Sequence, residues 1–237
     1  MGTMMRSGLL ASAVVLIAIL AGVTVACGGG NGEGIVAPSP SAAATPLALE
    51  GQLKGMVLQP SDVPAGFSLT ESFSTNEDVA GSGDDAETVL AKLTQWGRIL
   101  GLRVMFSPQA SDESGIFLVD SSVSLYESDS GAAASFADAR NTASATDWST
   151  NVEGTKDVRV EEIPPLDVAD EMLWLRISGT AIVGEPATEQ AFVQDVVLLR
   201  VGRARATVSV GYSGADASQA AENMVRAQAA RMAAGLR

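Results

Sequence analysis

One cysteine, Cys27, divides the chain into an apolar leader and everything that follows. Because there is no second cysteine, no disulfide can form within the chain, and the fold must be held together by burial of apolar surface. Apolar residues make up 46% of the sequence and aromatic residues only 5%. We therefore expect a core of Val, Leu, Ile, Ala and Met in one domain of about 190 residues.

The leader, residues 1 to 26, has the three parts of a secretory signal. Arg6 supplies a positive region, Leu9 to Leu20 an apolar region, and Thr24-Val25-Ala26 a compact end. The junction of Ala26 with Cys27 resembles the lipobox of bacterial lipoproteins, although Thr24 stands where that pattern usually has Leu. The resemblance implies cleavage between Ala26 and Cys27 and acylation of Cys27, for example with palmitate, which would anchor the protein stably to a membrane.

Three other interpretations of the leader stay open. Ordinary signal cleavage after Ala26 would leave a free N-terminal cysteine. Leu9 to Ala26 is about 18 residues, which is marginally long enough for an uncleaved membrane span. A buried N-terminal helix of a cytosolic protein is the third, and the absence of a polar second face disfavours it.

The segment from Gly28 to Pro46 is rich in Gly, Pro, Ser and Ala, a composition that cannot bury enough apolar surface to fold. We expect three parts in the chain: a signal peptide at 1–26, a flexible linker at 27–46 and a single globular domain at 47–237. A flexible linker of this length reaches roughly 25 Å. It would hold the domain on the extracytoplasmic face of the cell membrane.

The charge of the chain excludes one class of partner. The sequence has 15 basic and 28 acidic residues, and the leader removes only Arg6, so the mature chain carries a net charge of −14. The electrostatic field of so negative a chain repels the phosphate backbone of nucleic acids, so no nucleic-acid partner is expected. The chain has no histidine, so the usual general base, zinc ligand and haem ligand are all missing.

Apolar periodicity predicts an α+β fold. Alternation indicates strands within 100–106, 116–127, 171–180, 191–199 and 203–211, with a short one at 157–162. Helical spacing indicates helices up to Trp96, over 131–145 and over 218–236, and 49–58 is a short helix or an extended piece. We expect a mostly antiparallel sheet of about five or six strands, with two or three helices packed mainly on one face.

Three segments carry a second resemblance: Leu58 to Phe67 (LQPSDVPAGF), Ser128 to Ala132 with Phe136, and Val197 to Arg203. They resemble the exported α+β domains of small bacterial lipoproteins and receptor-kinase ectodomains, including the PknH-type sensor domain and the PsbP-like LpqN lipoproteins. The resemblance spans most of residues 50 to 236 and includes no catalytic residue. It implies a sensor or binding module.

The sequence motifs give little support for a catalytic or metal-binding function. No G-x-S-x-G or S-x-x-K occurs to activate a serine. Acids at Asp167, Asp170 and Glu171 suit a solvated loop better than a glycosidase pair. The acids between Glu77 and Glu87 lack the spacing of a calcium loop and suit helix capping instead. We predict no catalytic residue, no metal site and no cofactor.

Two groups of side chains are candidate ligand contacts. Trp174 and Arg176 share one face of a predicted strand, although a helix that covers this face would make Trp174 a core residue. Arg203 and Arg205 share a face of the last hairpin, with Arg200 across the turn. Like charges opposed in a sheet need a compensating anion, and the protein's own acids are the simpler source than a ligand.

The function expected from these features is that of a membrane-anchored exported lipoprotein whose domain binds or senses an unknown small ligand and is not an enzyme. The alternative is a structural or assembly lipoprotein that docks another cell-envelope protein.

Overall fold

A computed structural model describes residues 46–81, 83–109, 115–148, 154–183, 188–213 and 217–237. The leader, the linker up to residue 45 and with them Ala26 and Cys27 lie outside the described residues. Within the described ranges, no helix combines the length and the apolar character that crossing a bilayer requires.

The described chain forms five α-helices, seven strands and a 3-10 turn at Pro60–Asp62. The helices are α1 (Pro46–Met56), α2 (Asn76–Ala80), α3 (Ala86–Gln95), α4 (Asp129–Ala145) and α5 (Ala217–Gly235). The strands are β1 (Phe67–Ser74), β2 (Arg98–Pro108), β3 (Ile116–Tyr126), β4 (Thr155–Ile163), β5 (Glu171–Val183), β6 (Thr188–Val201) and β7 (Ala204–Tyr212).

All seven strands belong to one antiparallel sheet with the order β1-β2-β3-β7-β6-β5-β4. Neighbouring strands follow one another in the chain except at the centre, where β3 pairs with β7. Helix α4 connects the two halves, since it lies between β3 and β4 in the chain and packs against β3, β6 and β7.

The prediction of five or six strands was therefore wrong, and the strand that it omitted altogether is β1. This strand lies at the edge of the sheet and most of its side chains are exposed. Glu71 interrupts its apolar alternation between Leu69 and Phe73. An edge strand that buries so little needs few apolar residues, so its sequence carries a weak signal.

The five helices of the described chain lie on both faces of the sheet, which corrects the prediction of two or three helices packed mainly on one face. Helices α1 and α5 pack with Trp174, Val197 and Leu199 in the larger core. Helix α4 packs on the opposite face with Leu173, Leu175, Ile177, Val196 and Leu198. The uninterrupted apolar run from Val196 to Leu199 explains this arrangement, because a strand that is apolar on both sides needs cover on both sides.

The predicted hairpin of the last two strands is confirmed. Strands β6 and β7 pair from Val193–Tyr212 to Val201–Ala204. Gly202 occupies the turn with a φ of +49°, a conformation that glycine adopts without steric cost. The turn places Arg200, Arg203 and Arg205 near one end of the sheet.

Polar contacts define the start of α4 and fix α5 to the sheet. Ser128 precedes α4 and its Oγ accepts the N–H of Gly131 at 3.1 Å, which caps the helix. On the other face, the buried Gln228 of α5 accepts a hydrogen bond from Ser121 Oγ of β3 at 2.6 Å and donates one to the carbonyl of Met56. One amide thus joins the sheet, α1 and α5.

Candidate functional site

The four residues predicted to contact a ligand lie on opposite faces of the sheet. Trp174 and Arg176 are on the face that α1 and α5 cover. Arg205 points to the other face, where its guanidinium reaches Ser135 of α4. Arg203 lies in the turn directly before the same strand and donates a hydrogen bond to the carbonyl of Tyr126. The structure therefore defines two separate groups and not one site.

Trp174 is a buried residue, with 3% of its surface exposed. It lies between Ile163 of β4 and Val197 of β6 in the strand register. Its indole Nε1 is the one buried side-chain nitrogen or oxygen in the described part of the chain that has no hydrogen-bond partner. A buried donor without a partner costs about 1–3 kcal/mol.

Arg176 belongs to a group that we call the carboxylate triad: Arg176, Asp195 and Tyr212. The guanidinium of Arg176 donates to both oxygens of Asp195, at 2.8 and 2.9 Å. The hydroxyl of Tyr212 donates to Asp195 Oδ2 at 3.1 Å. Asp195 is 1% exposed, so its charge is removed from water and met by three donors.

The electrostatics of the carboxylate triad are those of a closed structural unit. Burial raises the pKa of Tyr212 above its ordinary value, and the negative charge of Asp195 raises it further. The bond with Asp195 raises the pKa of Arg176. Both groups therefore keep their protons at neutral pH.

Arg200 is also neutralised by the protein itself. Its guanidinium donates to the carboxylate of Asp170 at 3.1 Å and to that of Glu171. Asp170 in addition accepts the N–H of Gly202 at 2.7 Å. The acids that could have formed a glycosidase pair with Asp167 thus bind an arginine at the hairpin turn.

The remaining arginines on this side form a second group, the arginine cluster, which consists of Arg98, Arg203 and Arg205. Arg205 Nη1 donates to Ser135 O at 3.2 Å and to Ser135 Oγ at 2.9 Å. Arg203 Nη1 donates to Tyr126 O at 3.0 Å. Among the described residues, no carboxylate forms an ion pair with any member of the cluster.

Arg98 is the most deeply buried member of the arginine cluster, with 6% of its surface exposed. It lies across β2 above Gly101, where a Cβ atom would be only 2.2 Å from Arg98 Nη2. Glycine at this position leaves room for the guanidinium. Burial lowers the pKa of Arg98, and the nearby charge of Arg205 contributes to the same shift.

Sequence reasoning did not find Arg98, Asp195 or Tyr212. Asp195 offered a signal, since it is an acid immediately before the apolar run from Val196 to Leu199, and an acid buried in a core strand needs a partner. Arg98 offered none, because its partners come from segments that are more than 20 residues distant in the chain.

Of the acids considered for calcium, Asp78 caps a helix, whereas the side chain of Asp85, at the start of α3, makes no capping hydrogen bond. Asp78 accepts the backbone N–H of Thr75 at 2.8 Å, and Thr75 Oγ1 accepts that of Asp78, so the two residues cap α2. Within the described ranges, no three acidic side chains lie together in a way that could hold a metal ion.

Together these features define an α+β protein with one seven-stranded antiparallel sheet between two helical layers. No protein-family model matches the chain, and no curated protein matches it. Among solved structures, it is similar to the extracellular domain of PknH from Mycobacterium tuberculosis, with 11% identity, a TM-score of 0.48 and coverage of 76% of this chain and 95% of that chain.

A putative uncharacterized protein from Mycobacterium smegmatis is also similar, with 12% identity, a TM-score of 0.37 and coverage of 78% of this chain and 96% of that chain. Likeness at this level leaves the function to be inferred from the residues themselves.

Proposed function

We propose that this chain is a lipid-anchored, exported protein whose single domain binds or senses a ligand without catalysing a reaction. The observation that carries the anchoring is the position of the sole cysteine, Cys27, directly after Ala26 at the end of a secretory leader. The described domain begins with α1 at Pro46. The linker before it is long enough to keep that domain free of the lipid surface.

The composition and the polar contacts support a binding role over a catalytic one. The chain has no histidine to serve as a general base. Its most buried acid, Asp195, is held by Arg176 and Tyr212. The arginine cluster, by contrast, carries positive charge with which no acid of the described chain forms an ion pair, and a ligand can use it.

Docking of another envelope protein is the weaker alternative. The large apolar side chains that are exposed in the described domain lie on separate elements: Leu47, Leu69, Phe117, Val160 and Ile182. Leu69 is on β1 and Val160 on β4, which are the two opposite edges of the sheet. Scattered single residues are normal for a protein surface and do not make a docking patch.

Metabolic labelling tests the anchor. The full chain is expressed in a bacterial host with labelled palmitate, beside a Cys27→Ser variant. We expect label and membrane fractionation for the wild type, and loss of both for the variant. A wild-type chain that takes up no label and fractionates like Cys27→Ser would overturn the proposal.

Native mass spectrometry of the purified chain tests the binding role. We expect a retained small molecule that is released on unfolding. A chain that retains nothing but co-purifies with one envelope protein at a fixed ratio would favour the docking alternative.

A further inference from the structure

The arginine cluster contains a buried cation that is surrounded by neutral groups. Arg98 donates four hydrogen bonds: to Ser124 Oγ at 3.1 Å, to Ser74 O at 3.2 Å, to Ser74 Oγ at 2.8 Å and to Asn76 Oδ1 at 3.1 Å. These acceptors take four of its five N–H groups and carry no charge. A buried charge that lacks a counterion is unfavourable, and proteins almost always pair it.

A second cation stands beside it on the same face of the sheet. Ser124, which binds Arg98, is the register partner of Arg205 on the neighbouring strand. Directly opposed residues have Cβ atoms about 5 Å apart. Arg98 and Arg205 therefore flank Ser124, so the sheet holds two like charges where one alone would already need an anion.

The unused N–H groups of Arg203 and Arg205 indicate the chemistry of the missing counterion. The hydrogen bonds of Arg205 and Arg203 to the described residues use Nη1 alone, which leaves Nε and Nη2 of both side chains for another acceptor. The hydroxyls of Tyr126 and Ser135 are 2.6 Å apart beside them. Arg203, Arg205 and Ser124 are all partly exposed, so an acceptor can approach from solvent.

The contrast with Arg200 shows that acids were available at this end of the sheet. Arg200 and Arg205 are register partners on β6 and β7, yet Asp170 and Glu171 bind Arg200 only. Asp78 is the acid whose charge acts on Arg98, and its carboxylate is already used to cap α2.

We propose that Arg98 and Arg205, with Arg203 at the rim, form a binding site for the oxyanion group of a small soluble ligand, either a carboxylate or a phosphate. Guanidinium groups bind both groups through paired N–H donors. This inference rests on the proposed binding function and names the chemistry of its ligand. Because salt screens the attraction between the guanidinium groups and an anion, we expect affinity that falls as salt is raised.

Thermal unfolding of the purified full-length chain in detergent tests the site. The melting temperature is followed while inorganic phosphate, or in a second arm succinate, replaces chloride at constant ionic strength. We expect a saturable increase for the wild type in one arm, and the more effective anion identifies the oxyanion. Arg205→Gln should weaken the response at least tenfold in concentration, while Arg205→Lys, which keeps the charge, should weaken it less.

Arg226→Gln is the matched control, since Arg226 is an exposed arginine of α5 that pairs with Glu222. We expect it to respond like the wild type. Equal responses from the wild type, Arg205→Gln and Arg226→Gln would show a general salt effect and overturn the site, as would no response in either arm. Neither result affects the small molecule that native mass spectrometry of the purified chain detects, so a failure of this inference is distinguishable from a failure of the binding function.

Discussion

Arg176 and Arg98 lie on opposite faces of the same sheet and differ in the groups that surround their positive charge. Arg176 meets the carboxylate of Asp195 through two parallel hydrogen bonds. Arg98, which is more deeply buried, meets only serine and asparagine oxygens and a backbone carbonyl. The first arrangement is complete in itself, whereas the second satisfies hydrogen bonds and leaves the charge unbalanced. Hydrogen bonds to a buried arginine therefore do not by themselves neutralise its charge. A buried arginine that has hydrogen-bond acceptors but no counterion indicates a binding site for an anion.

The largest effect is expected from the loss of the carboxylate. Asp195→Ala leaves Arg176 and the hydroxyl of Tyr212 without their acceptor, and breaking a buried pair in this way costs about 3–5 kcal/mol of unfolding free energy. Urea unfolding followed by circular dichroism measures it. Glu222→Ala, which breaks the exposed pair with Arg226, should cost only about 0.3–0.5 kcal/mol. Equal losses in the two variants would contradict the structural role of Asp195.

Removal of the unbalanced cation should cost less. Arg98→Met breaks four hydrogen bonds but also removes a desolvated charge, so we expect a loss of about 1–3 kcal/mol in buffer free of phosphate and carboxylates. Arg98→Lys keeps the charge without the planar donors and should be the less stable of the two. If Arg98→Lys were instead close to the wild type and Arg98→Met as damaging as Asp195→Ala, the charge of Arg98 would be balanced after all.

Two buried tryptophans differ in the same way, since the indole N–H of one has a hydrogen-bond partner and that of the other has none among the described residues. The indole N–H of Trp148 donates to Ala143 O at 3.1 Å, whereas that of Trp174 has no partner in the described chain. Both side chains are buried, so a change to Phe removes similar volume from each. We expect Trp148→Phe to lose about 1 kcal/mol more than Trp174→Phe. Calorimetric melting of the two variants measures the difference, and the reverse order would indicate a bound acceptor at Trp174.

The smallest effect is a dependence on alkaline pH. The pKa of Tyr212 is raised above its ordinary 10.0. Above pH 10, the unfolded chain loses this proton while the folded chain retains it, so the free energy of unfolding falls as pH rises. Tyr212→Phe lacks this contribution and should lose less stability between about pH 8 and pH 11. Its cost at neutral pH should be about 0.5–1.5 kcal/mol. Parallel pH profiles of the two proteins would contradict the shift.

The sequence allowed the central strands to be predicted but not the site. Strand periodicity placed Trp174 and Arg176 on one face of a predicted strand, and both lie on the face of β5 that α1 and α5 cover. The edge strand β1 was not predicted, because an exposed strand lacks the apolar alternation on which the prediction depends.

The arginine cluster could be predicted only in part. Arg203 and Arg205 share a face because of strand periodicity, which is local. The burial of Arg98, and its position beside Arg205, depend on the pairing of β2 with β3 and of β3 with β7. A short segment of sequence carries no signal for contacts between strands that are distant in the chain.

The pairing of β3 with β7 also has a consequence for how the chain folds. Its partners, such as Leu125 and Ala204, are roughly 80 residues apart, whereas the other strand pairs join consecutive strands. Closing so long a loop is entropically costly, so we expect this junction to form last and to set the folding rate. Until it forms, two strand edges stay unpaired, and at high concentration they can pair between molecules to give dimers with exchanged halves.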